Sequence, residues 1–322
     1  MPNVQLGGPH QQQGVGIVAP FDFALDRELW RWTPDGVTVH LTRTPFVPVE
    51  VSLDLARMVS EHETLELQVR ALTAVRPGVV AYACTSGSFV NGVAGERAMC
   101  EAMRSSGAPA AVTTSGALIE ALSLLGAGRV SVVTPYTASV TESLTDYLAE
   151  EGVRAVGIEY LGLTRDIWKV PYQDLIDMVT RSVTPDAEAV FISCTNLHSY
   201  DTLALLEQKL GIPVLSANQV TMWAALRHIG LQATGPGQSL LDLPLPAPLP
   251  EPPHTVPQPV LDVPQPLPQS VLNLPPSLPP AGIDVPPPSG YTPPGGVVPG
   301  PDPPGAAFTG TYTSAVERAL IV

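Results

Sequence analysis

The chain is poor in charged residues, in cysteine and in aromatic side chains. Of its 322 residues only 14% are charged, and 16 basic against 30 acidic residues leave a net charge of −14. Non-specific binding to nucleic acid needs Lys and Arg to displace counterions from phosphates, so this balance argues against a nucleic-acid partner. Three cysteines, at positions 84, 100 and 194, are too few for a disulfide scaffold.

Signals for export and for membrane insertion are also missing. The opening MPNVQLGGPHQQQ contains no Lys, no Arg and no apolar run, so it does not resemble a signal peptide. Longer uncharged stretches, such as 77–95, are interrupted by Pro, Ser, Thr, Asn and Gly, unlike a spanning helix. We therefore expect a soluble, cytoplasmic protein with no membrane partner.

Proline is unevenly distributed along the chain. Residues 1–234 contain 12 of the 37 prolines, and 235–322 contain 25. A proline every two or three residues prevents helix interiors and central strands, so 236–310 is predicted to be a disordered Pro-rich tail. Its PxxP spacings suggest an SH3-like partner, although composition alone produces many of them. Residues 311–322 are predicted to form a short terminal helix.

Short apolar runs alternate with helical patterns between residues 14 and 235, which is typical of an α/β fold with parallel sheets. Glycines that would end helices follow five of the helical segments. The predicted strands are 15–19, 37–42, 79–83, 110–113, 130–134, 154–159, 189–193 and 214–216. The predicted helices are 52–72, 95–105, 117–125, 139–151, 172–182, 202–210 and 219–228.

An internal similarity divides this α/β region into two copies. VVAYACTSGS (79–88) and AVFISCTNLH (189–198) each end a strand in Cys-Thr, and each continues into a helix, a glycine and a short strand. We expect two similar lobes, about 14–127 and 128–235, which are related by a pseudo-two-fold axis and exchange a helix. Equivalent strand ends would then face each other, with Cys84 and Cys194 on either side of an active site between the lobes.

A thiol at the carboxyl end of a parallel strand lies where ligands bind in α/β proteins. Backbone N–H groups after Cys84 favour the thiolate, and the Thr and Ser hydroxyls that follow can bind an anion. A single cysteine of this kind is usually inert, but two cysteines in matching positions indicate a site. Cys100, in the middle of a helical pattern, is predicted to be inert.

The paired motifs ACTSGSF and ISCTN, with the TPY turn at 134–136, resemble the aspartate/glutamate racemase superfamily. Within it the chain is most similar to maleate cis-trans isomerases and arylmalonate decarboxylases. The resemblance covers about residues 14–235 and implies two α/β lobes, a small carboxylate substrate and no metal or organic cofactor. It is also compatible with a homo-oligomer.

The resemblance implies a role for each matching residue. Cys84 corresponds to the nucleophile of the isomerases, a position that is Gly in the decarboxylases, and Cys194 corresponds to the proton donor. Substrate-binding positions are Thr85, Ser86, Tyr136, Thr195 and Asn196.

The turn after the first strand departs from the isomerase pattern. It reads Pro20-Phe21-Asp22-Phe23, where isomerases often have Pro-Ser-Ser-Asn. Asp166 stands near another position at which isomerases bind a carboxylate through Asn. His198, four residues after Cys194, is either a site residue or a plain loop histidine. Pro20, Asp22, Asp166 and His198 are therefore further candidates for the site.

The leading hypothesis is a cofactor-independent isomerase in which Cys84 adds to a cis-enedioate and Cys194 transfers the proton through an enediolate intermediate. An arylmalonate-type decarboxylase or an amino-acid racemase in the same cleft remains open. A non-catalytic protein that binds a small acid is a further alternative. The six histidines show no HxxxH spacing and there is no CxxC, so no metal site is expected.

Overall fold

Strands and helices alternate along residues 12–245, the part of the chain that the computed structural model describes. The predicted tail beyond 245 and the predicted helix at 311–322 lie outside the described residues. The strands are β1 (Gln13–Ala19), β2 (Val37–Arg43), β3 (Val79–Tyr82), β4 (Ala111–Thr113), β5 (Arg129–Thr134), β6 (Arg154–Tyr160), β7 (Ala189–Ile192) and β8 (Val214–Ser216). The helices are α1 (Asp26–Arg31), α2 (Leu53–Val59), α3 (His62–Thr73), α4 (Thr85–Phe89), α5 (Gly92–Ser105), α6 (Thr114–Leu125), α7 (Ala138–Glu150), α8 (Tyr172–Ser182), α9 (Tyr200–Leu210) and α10 (Ala217–His228).

Two four-stranded parallel sheets with helices on their faces form the fold, as the sequence predicts. Their strand orders are β2-β1-β3-β4 and β6-β5-β7-β8, so the second sheet repeats the first. The inner strands β3 and β7 are buried along their whole length, which agrees with their continuous apolar sequences. Because β3 and β7 hold equivalent places, the two cysteine motifs that follow them are equivalent in space.

Helix α10 belongs to the second copy in sequence but packs on both lobes. It is buried along nearly all of its length and contacts β3 and α6 of the first copy as well as β8. The Thr221 hydroxyl lies 2.8 Å from the Thr114 hydroxyl at the start of α6. The largest group of buried apolar side chains accordingly includes residues of both sheets, so the lobes share one core.

The single helix predicted at 52–72 is two helices. Ser52 is the N-cap of helix α2, and its side chain accepts a hydrogen bond from the Leu55 N–H at 3.1 Å; Ser60 is the C-cap. Helix α3 then packs on β1 and β2, whereas α2 packs on the short helix α4. The break lets α2 lie over the carboxyl end of β3, where it is held by the Tyr82 hydroxyl, which donates to the Val59 carbonyl at 2.9 Å.

Packed structure extends ten residues past the predicted boundary at 235. A 3₁₀ helix at Ser239–Asp242 buries Leu240 and Leu241 in the common core. The Gln238 side-chain oxygen (Oε1) accepts hydrogen bonds from the Trp32 indole N–H at 2.9 Å and from the Gln219 side-chain amide at 2.8 Å. Residues 236–245 therefore belong to the α/β unit, because their apolar side chains find a place in it. No helix within 12–245 is long and apolar enough to cross a bilayer.

Candidate active site

Cys84 and Cys194 line one small cavity between the two sheets. Cys84 follows β3 and directly precedes α4, and Cys194 follows β7; their exposed fractions are 5% and 8%. The volume of this cavity is about 30 Å³. The described residues that line it are Pro20, Asp22, Val51, Ser52, Leu55, Ala56, Val59, Cys84, Thr85, Ser86, Tyr136, Ile167, Cys194, Thr195 and Asn196.

Burial raises the pKa of both thiols, which differs from the sequence expectation of a favoured thiolate. At Cys84 the Gly87 N–H and the Tyr82 hydroxyl act to lower the pKa, but burial has the larger effect and the Asp22 carboxylate adds to it. Burial likewise raises the pKa of Cys194 to about 12. The dipoles act in the expected direction, but removal of the thiols from water outweighs them. Both resting thiols are therefore protonated near neutral pH.

The approach of Tyr82 to Cys84 depends on the glycine in the TSGSF motif. A methyl group added at Gly87 would overlap the Tyr82 hydroxyl. The same hydroxyl bonds to the Val59 carbonyl of α2. A side chain at position 87 would therefore disturb both the environment of the nucleophile and the helix above it.

Cys194 has an unusual backbone conformation for a residue with a side chain. Its φ of 91° lies in the left-handed region that favours glycine. The N–H of Asn196 points back to the Cys194 sulfur at 3.4 Å, and the Leu197 N–H donates to the Cys194 carbonyl at 3.2 Å. Strain of this kind persists where surrounding contacts hold it, and it is concentrated at functional sites.

Three hydroxyls face the space beside the thiols. Thr85 is buried, and its hydroxyl is among the few buried side-chain polar atoms that find no hydrogen-bond partner in the described part of the chain. The Ser86 hydroxyl lies 3.8 Å from the Cys84 sulfur. Burial, together with the negative charge that either cysteine would carry, raises the pKa of Tyr136 well above its ordinary value. Tyr136 is therefore a neutral hydrogen-bond donor, and an anion could satisfy the Thr85 hydroxyl.

The side-chain amide of Asn196 holds a loop of the first lobe. Its oxygen accepts from the Ala24 N–H at 2.9 Å, and its nitrogen donates to the Asp22 carbonyl at 3.1 Å. Thr195 also lines the cavity, and its carbonyl accepts from the Asn218 amide at 2.9 Å. The backbone after Cys194 is thus fixed from both sides, and the Asn196 amide positions the loop that carries Asp22.

The structure brings Pro20 and Asp22 into the cavity but leaves Asp166 and His198 outside it. Asp166 borders a neighbouring cavity of about 510 Å³ and lies 3.3 Å from the Lys169 ammonium. His198 borders a third cavity, where its ring packs edge-on against Tyr172. Both side chains are therefore set apart from the thiols by the geometry of their loops.

Sequence reasoning missed a buried carboxylate that connects the lobes behind the cavity. Glu28 on α1 accepts from the N–H groups of Ser199 and Tyr200 at 2.6 and 2.8 Å, and from the Asn218 amide at 2.5 Å. Ser199 and Tyr200 begin α9, which directly follows the Cys194 loop. The sequence signal was weak, because Glu28 lies in a short, highly charged helix that looks exposed.

The roof of the cavity was also missed. It consists of Val51, Ser52 and the α2 side chains Leu55, Ala56 and Val59. The Val51 N–H donates to the Thr164 carbonyl at 2.9 Å, which joins this segment to the second lobe. Within residues 12–245, no cluster of three or more His, Cys, Asp or Glu side chains has a geometry that could hold a metal ion.

A model of the arylmalonate decarboxylase family matches residues 58–241, a range that contains both cysteine motifs. The chain belongs to this family. An arylmalonate decarboxylase from Bordetella bronchiseptica is 33% identical over 172 residues, which are 52% of this chain and 72% of that protein. A maleate isomerase from Nocardia farcinica is 30% identical over 195 residues, 58% of this chain and 76% of that protein.

Solved structures of family members share the two-sheet fold. A mutant maleate isomerase from Pseudomonas putida S16 with maleate matches at a TM-score of 0.66 and 25% identity, over 71% of this chain and 97% of that one. A liganded double mutant of arylmalonate decarboxylase matches at 0.67 and 28% identity, over 72% and 99%. A Nocardia farcinica maleate cis-trans isomerase mutant with a covalently bound succinylcysteine intermediate matches at 0.63 and 26% identity, over 71% and 98%.

Proposed function

We propose that this family member is a cofactor-independent cis-trans isomerase that acts on maleate or a closely related cis-enedioate. The observation that carries the proposal is the pair of buried thiols, at equivalent strand ends, in one cavity with the unsatisfied hydroxyl donor of Thr85. The succinylcysteine of the Nocardia farcinica enzyme is the product of adding a cysteine sulfur to a four-carbon enedioate. A first-lobe cysteine at position 84 supplies that sulfur here.

In the binding step, one carboxylate of the substrate lies between the hydroxyls of Thr85, Ser86 and Tyr136. Neutral donors stabilise an anion more strongly in a buried cavity than in water, and they hold the developing enediolate in the same place. The Thr85 hydroxyl is suited to this role because the described part of the protein offers it no other partner.

In the addition step, the Cys84 thiol first loses its proton to solvent, and the thiolate sulfur then attacks one alkene carbon. The π-electron pair moves to the neighbouring carbon and into its carboxylate, which gives an enediolate. Because burial raises the pKa of Cys84, the thiolate is a minor species at neutral pH, and its fraction rises about tenfold per pH unit below that pKa.

In the proton-transfer step, Cys194 donates its proton to the carbanionic carbon. A thiol with a pKa of about 12 keeps its proton until a strong base such as the enediolate appears. The former double bond is now single and rotates. Cys194 thiolate then removes a proton from the same carbon, the double bond re-forms in the trans geometry, and the electron pair of the C–S bond returns to Cys84.

Decarboxylation of an arylmalonate is the second candidate. It is supported by the family match and by the 33% identity to the Bordetella bronchiseptica enzyme. The decarboxylase chemistry needs only the proton donor at position 194, so Cys84 would have no role in it. A racemase would use both thiols as acid and base, and a non-catalytic binding protein would need neither to react.

Proton NMR of the full-length protein in D₂O with maleate, an arylmalonate, and D- and L-aspartate distinguishes these functions in one assay. We expect fumarate from maleate, without loss of CO₂ from the arylmalonate or α-proton exchange in aspartate. Replacement of Cys84 or Cys194 by Ser should lower kcat by about 10²–10⁴-fold, the range expected for loss of a proton-transfer group.

Cys100→Ser is the matched control. Cys100 is half-buried on α5, where its sulfur contacts Glu96 at 3.3 Å, and it does not line the cavity. This variant should retain full turnover. Near-normal activity of Cys84→Ser or Cys194→Ser on maleate would refute the two-thiol mechanism.

A further inference from the structure

Asp22 places a carboxyl group inside the cavity, opposite the two thiols. It follows β1 in the turn Pro20-Phe21-Asp22, is half-buried, and lines both the thiol cavity and the larger neighbouring one. It lines the same cavity as Cys84 and Cys194, and its charge adds to the effect of burial in raising the pKa of both thiols. A carboxyl group in this position is chemically distinct from the hydroxyls on the Thr85 side.

No cation neutralises Asp22 from within the cavity. Among the described residues that line it, none is Lys, Arg or His. The neighbouring cavity contributes Glu50, Arg165 and Asp166, but the Arg165 guanidinium is paired with Glu50 and is largely exposed. Asp166 in turn is paired with Lys169. Burial raises the pKa of Asp22, and the only opposing effect is a hydrogen bond from its own backbone.

The turn holds Asp22 at the cavity. Asn196 binds the Asp22 carbonyl and the Ala24 N–H with the two ends of its amide, and the Phe21 N–H donates to the Thr44 hydroxyl at 3.1 Å. These bonds cross from β7 and β2 to the turn. The backbone of the turn therefore cannot move away without breaking the Asn196 contacts between the lobes.

This arrangement conflicts with simple binding of a dicarboxylate dianion. With one carboxylate at the hydroxyls, the second carboxylate reaches the part of the cavity that contains Asp22. Two ionised carboxylates in contact, without a cation, repel each other, and such pairs are stable when they share one proton. A carboxylic acid beside a carboxylate forms a short, charge-assisted O–H···O bond.

We propose that Asp22 is the specificity-determining residue for the second carboxyl group of the substrate, which it binds through one shared proton. The inference rests on the proposed dicarboxylate substrate. The proton comes from solvent when the dicarboxylate binds as a dianion, so one proton is taken up per ligand bound. A monocarboxylate, which occupies only the hydroxyl side, binds without this uptake.

The test is the pH dependence of succinate binding, measured by titration calorimetry of the full-length protein. Succinate is saturated and does not react with the thiols, and from about pH 7 to 9 both of its carboxyl groups are ionised in water. In the wild type, affinity should fall about tenfold per pH unit, and enthalpies in buffers of different ionisation heat should give one proton taken up. Butyrate should show neither effect.

Asp22→Asn should bind succinate with affinity that changes less than about twofold over the same range, because its amide donates without titrating. Asp54→Asn is the control, since Asp54 lies on the roof helix α2 but is 83% exposed and faces Arg57. It should retain the wild-type slope. Parallel pH dependence in wild type and Asp22→Asn, or no proton uptake by the wild type, would overturn the proposal.

This test separates the inference from the proposed isomerase activity. Binding of succinate requires no turnover, so proton uptake that depends on Asp22 stands even if maleate is not isomerised. Conversely, maleate could be turned over while succinate binding has the same pH dependence in the wild type and in Asp22→Asn. That result would support the isomerase activity and refute the role of Asp22 in substrate specificity.

Discussion

Replacement of Glu28 by Ala removes one carboxylate that accepts hydrogen bonds from three residues of the second lobe. The partners are the N–H groups of Ser199 and Tyr200 at 2.6 and 2.8 Å, the Ser199 hydroxyl at 3.3 Å and the Asn218 amide at 2.5 Å. All of these groups are donors, and Glu28 is only 6% exposed. In Glu28→Ala the N–H groups of Ser199 and Tyr200 lose their acceptor, whereas the Ser199 hydroxyl keeps the Ser216 hydroxyl at 2.8 Å and the Asn218 amide keeps the Thr195 carbonyl at 2.9 Å.

The expected loss is about 2–6 kcal/mol in the free energy of unfolding. A buried donor that is left without its acceptor costs about 1–3 kcal/mol, and two N–H groups, those of Ser199 and Tyr200, lose theirs. Urea denaturation followed by circular dichroism measures it. Glu28→Gln should lose about half as much, because it keeps one acceptor oxygen but turns an NH₂ group towards the Asn218 amide.

Asp201→Ala is the matched control. Asp201 lies in the first turn of α9, the helix that Ser199 and Tyr200 begin. It also binds α1, through two 2.6 Å contacts to Arg31, but its side chain is 48% exposed. An exposed ion pair of this kind contributes about 0–1 kcal/mol. If Glu28→Ala cost no more than Asp201→Ala, the view that Glu28 holds the two lobes together would be refuted.

Three further predictions concern the hydroxyls, the terminal segment and the pH profile. Thr85→Val should lower kcat/KM for maleate about 10²–10³-fold with little effect on stability, because it deletes an oxyanion donor that has no protein partner; an unchanged kcat/KM would contradict this. Leu240→Ala should cost about 2–5 kcal/mol in urea denaturation, since the side chain is fully buried; a change below about 1 kcal/mol would contradict the packing of 236–245. In the wild type, kcat/KM should be flat with pH between the pKa values of Asp22 and Cys84, both of which are raised. The reactive form needs Asp22 protonated and Cys84 ionised, and over this range the fall in the first fraction cancels the rise in the second. In Asp22→Asn kcat/KM should instead rise about tenfold per pH unit up to the Cys84 pKa, and a flat profile there would show that Asp22 does not titrate in the reaction.

The eight strands, and the approach of Cys84 and Cys194 at the strand ends, could be predicted from the sequence for a physical reason. Strands buried on both faces are continuous apolar runs, and the repeat of the Cys-Thr motif identifies equivalent strand ends without any knowledge of the distance between them. Membership of the family confirms the resemblance that those motifs indicated. Helix α4 was not predicted, because Thr-Ser-Gly-Ser-Phe has low helix propensity and forms a helix only where β3 ends.

The hydrogen-bond partners of individual polar side chains could not be predicted from the sequence. Whether the Asn196 amide faces a ligand or the turn at Asp22 depends on how two segments 174 residues apart approach each other. The raised pKa of Cys84 has the same origin, because the roof that removes the thiol from water comes from α2. A local sequence motif shows which N–H and O–H dipoles act to lower the pKa of a thiol. The burial that raises this pKa depends on how the two lobes pack together.

The position of α10 restricts how a substrate can reach the thiols. Because this buried helix packs on both sheets, a hinge opening that separates the lobes would break the common core. The thiol cavity shares Asp22, Val51 and Leu55 with the 510 Å³ cavity beside it. A substrate that enters through the larger cavity would pass Val51 and Leu55 and would leave the contacts between α10 and the two sheets intact.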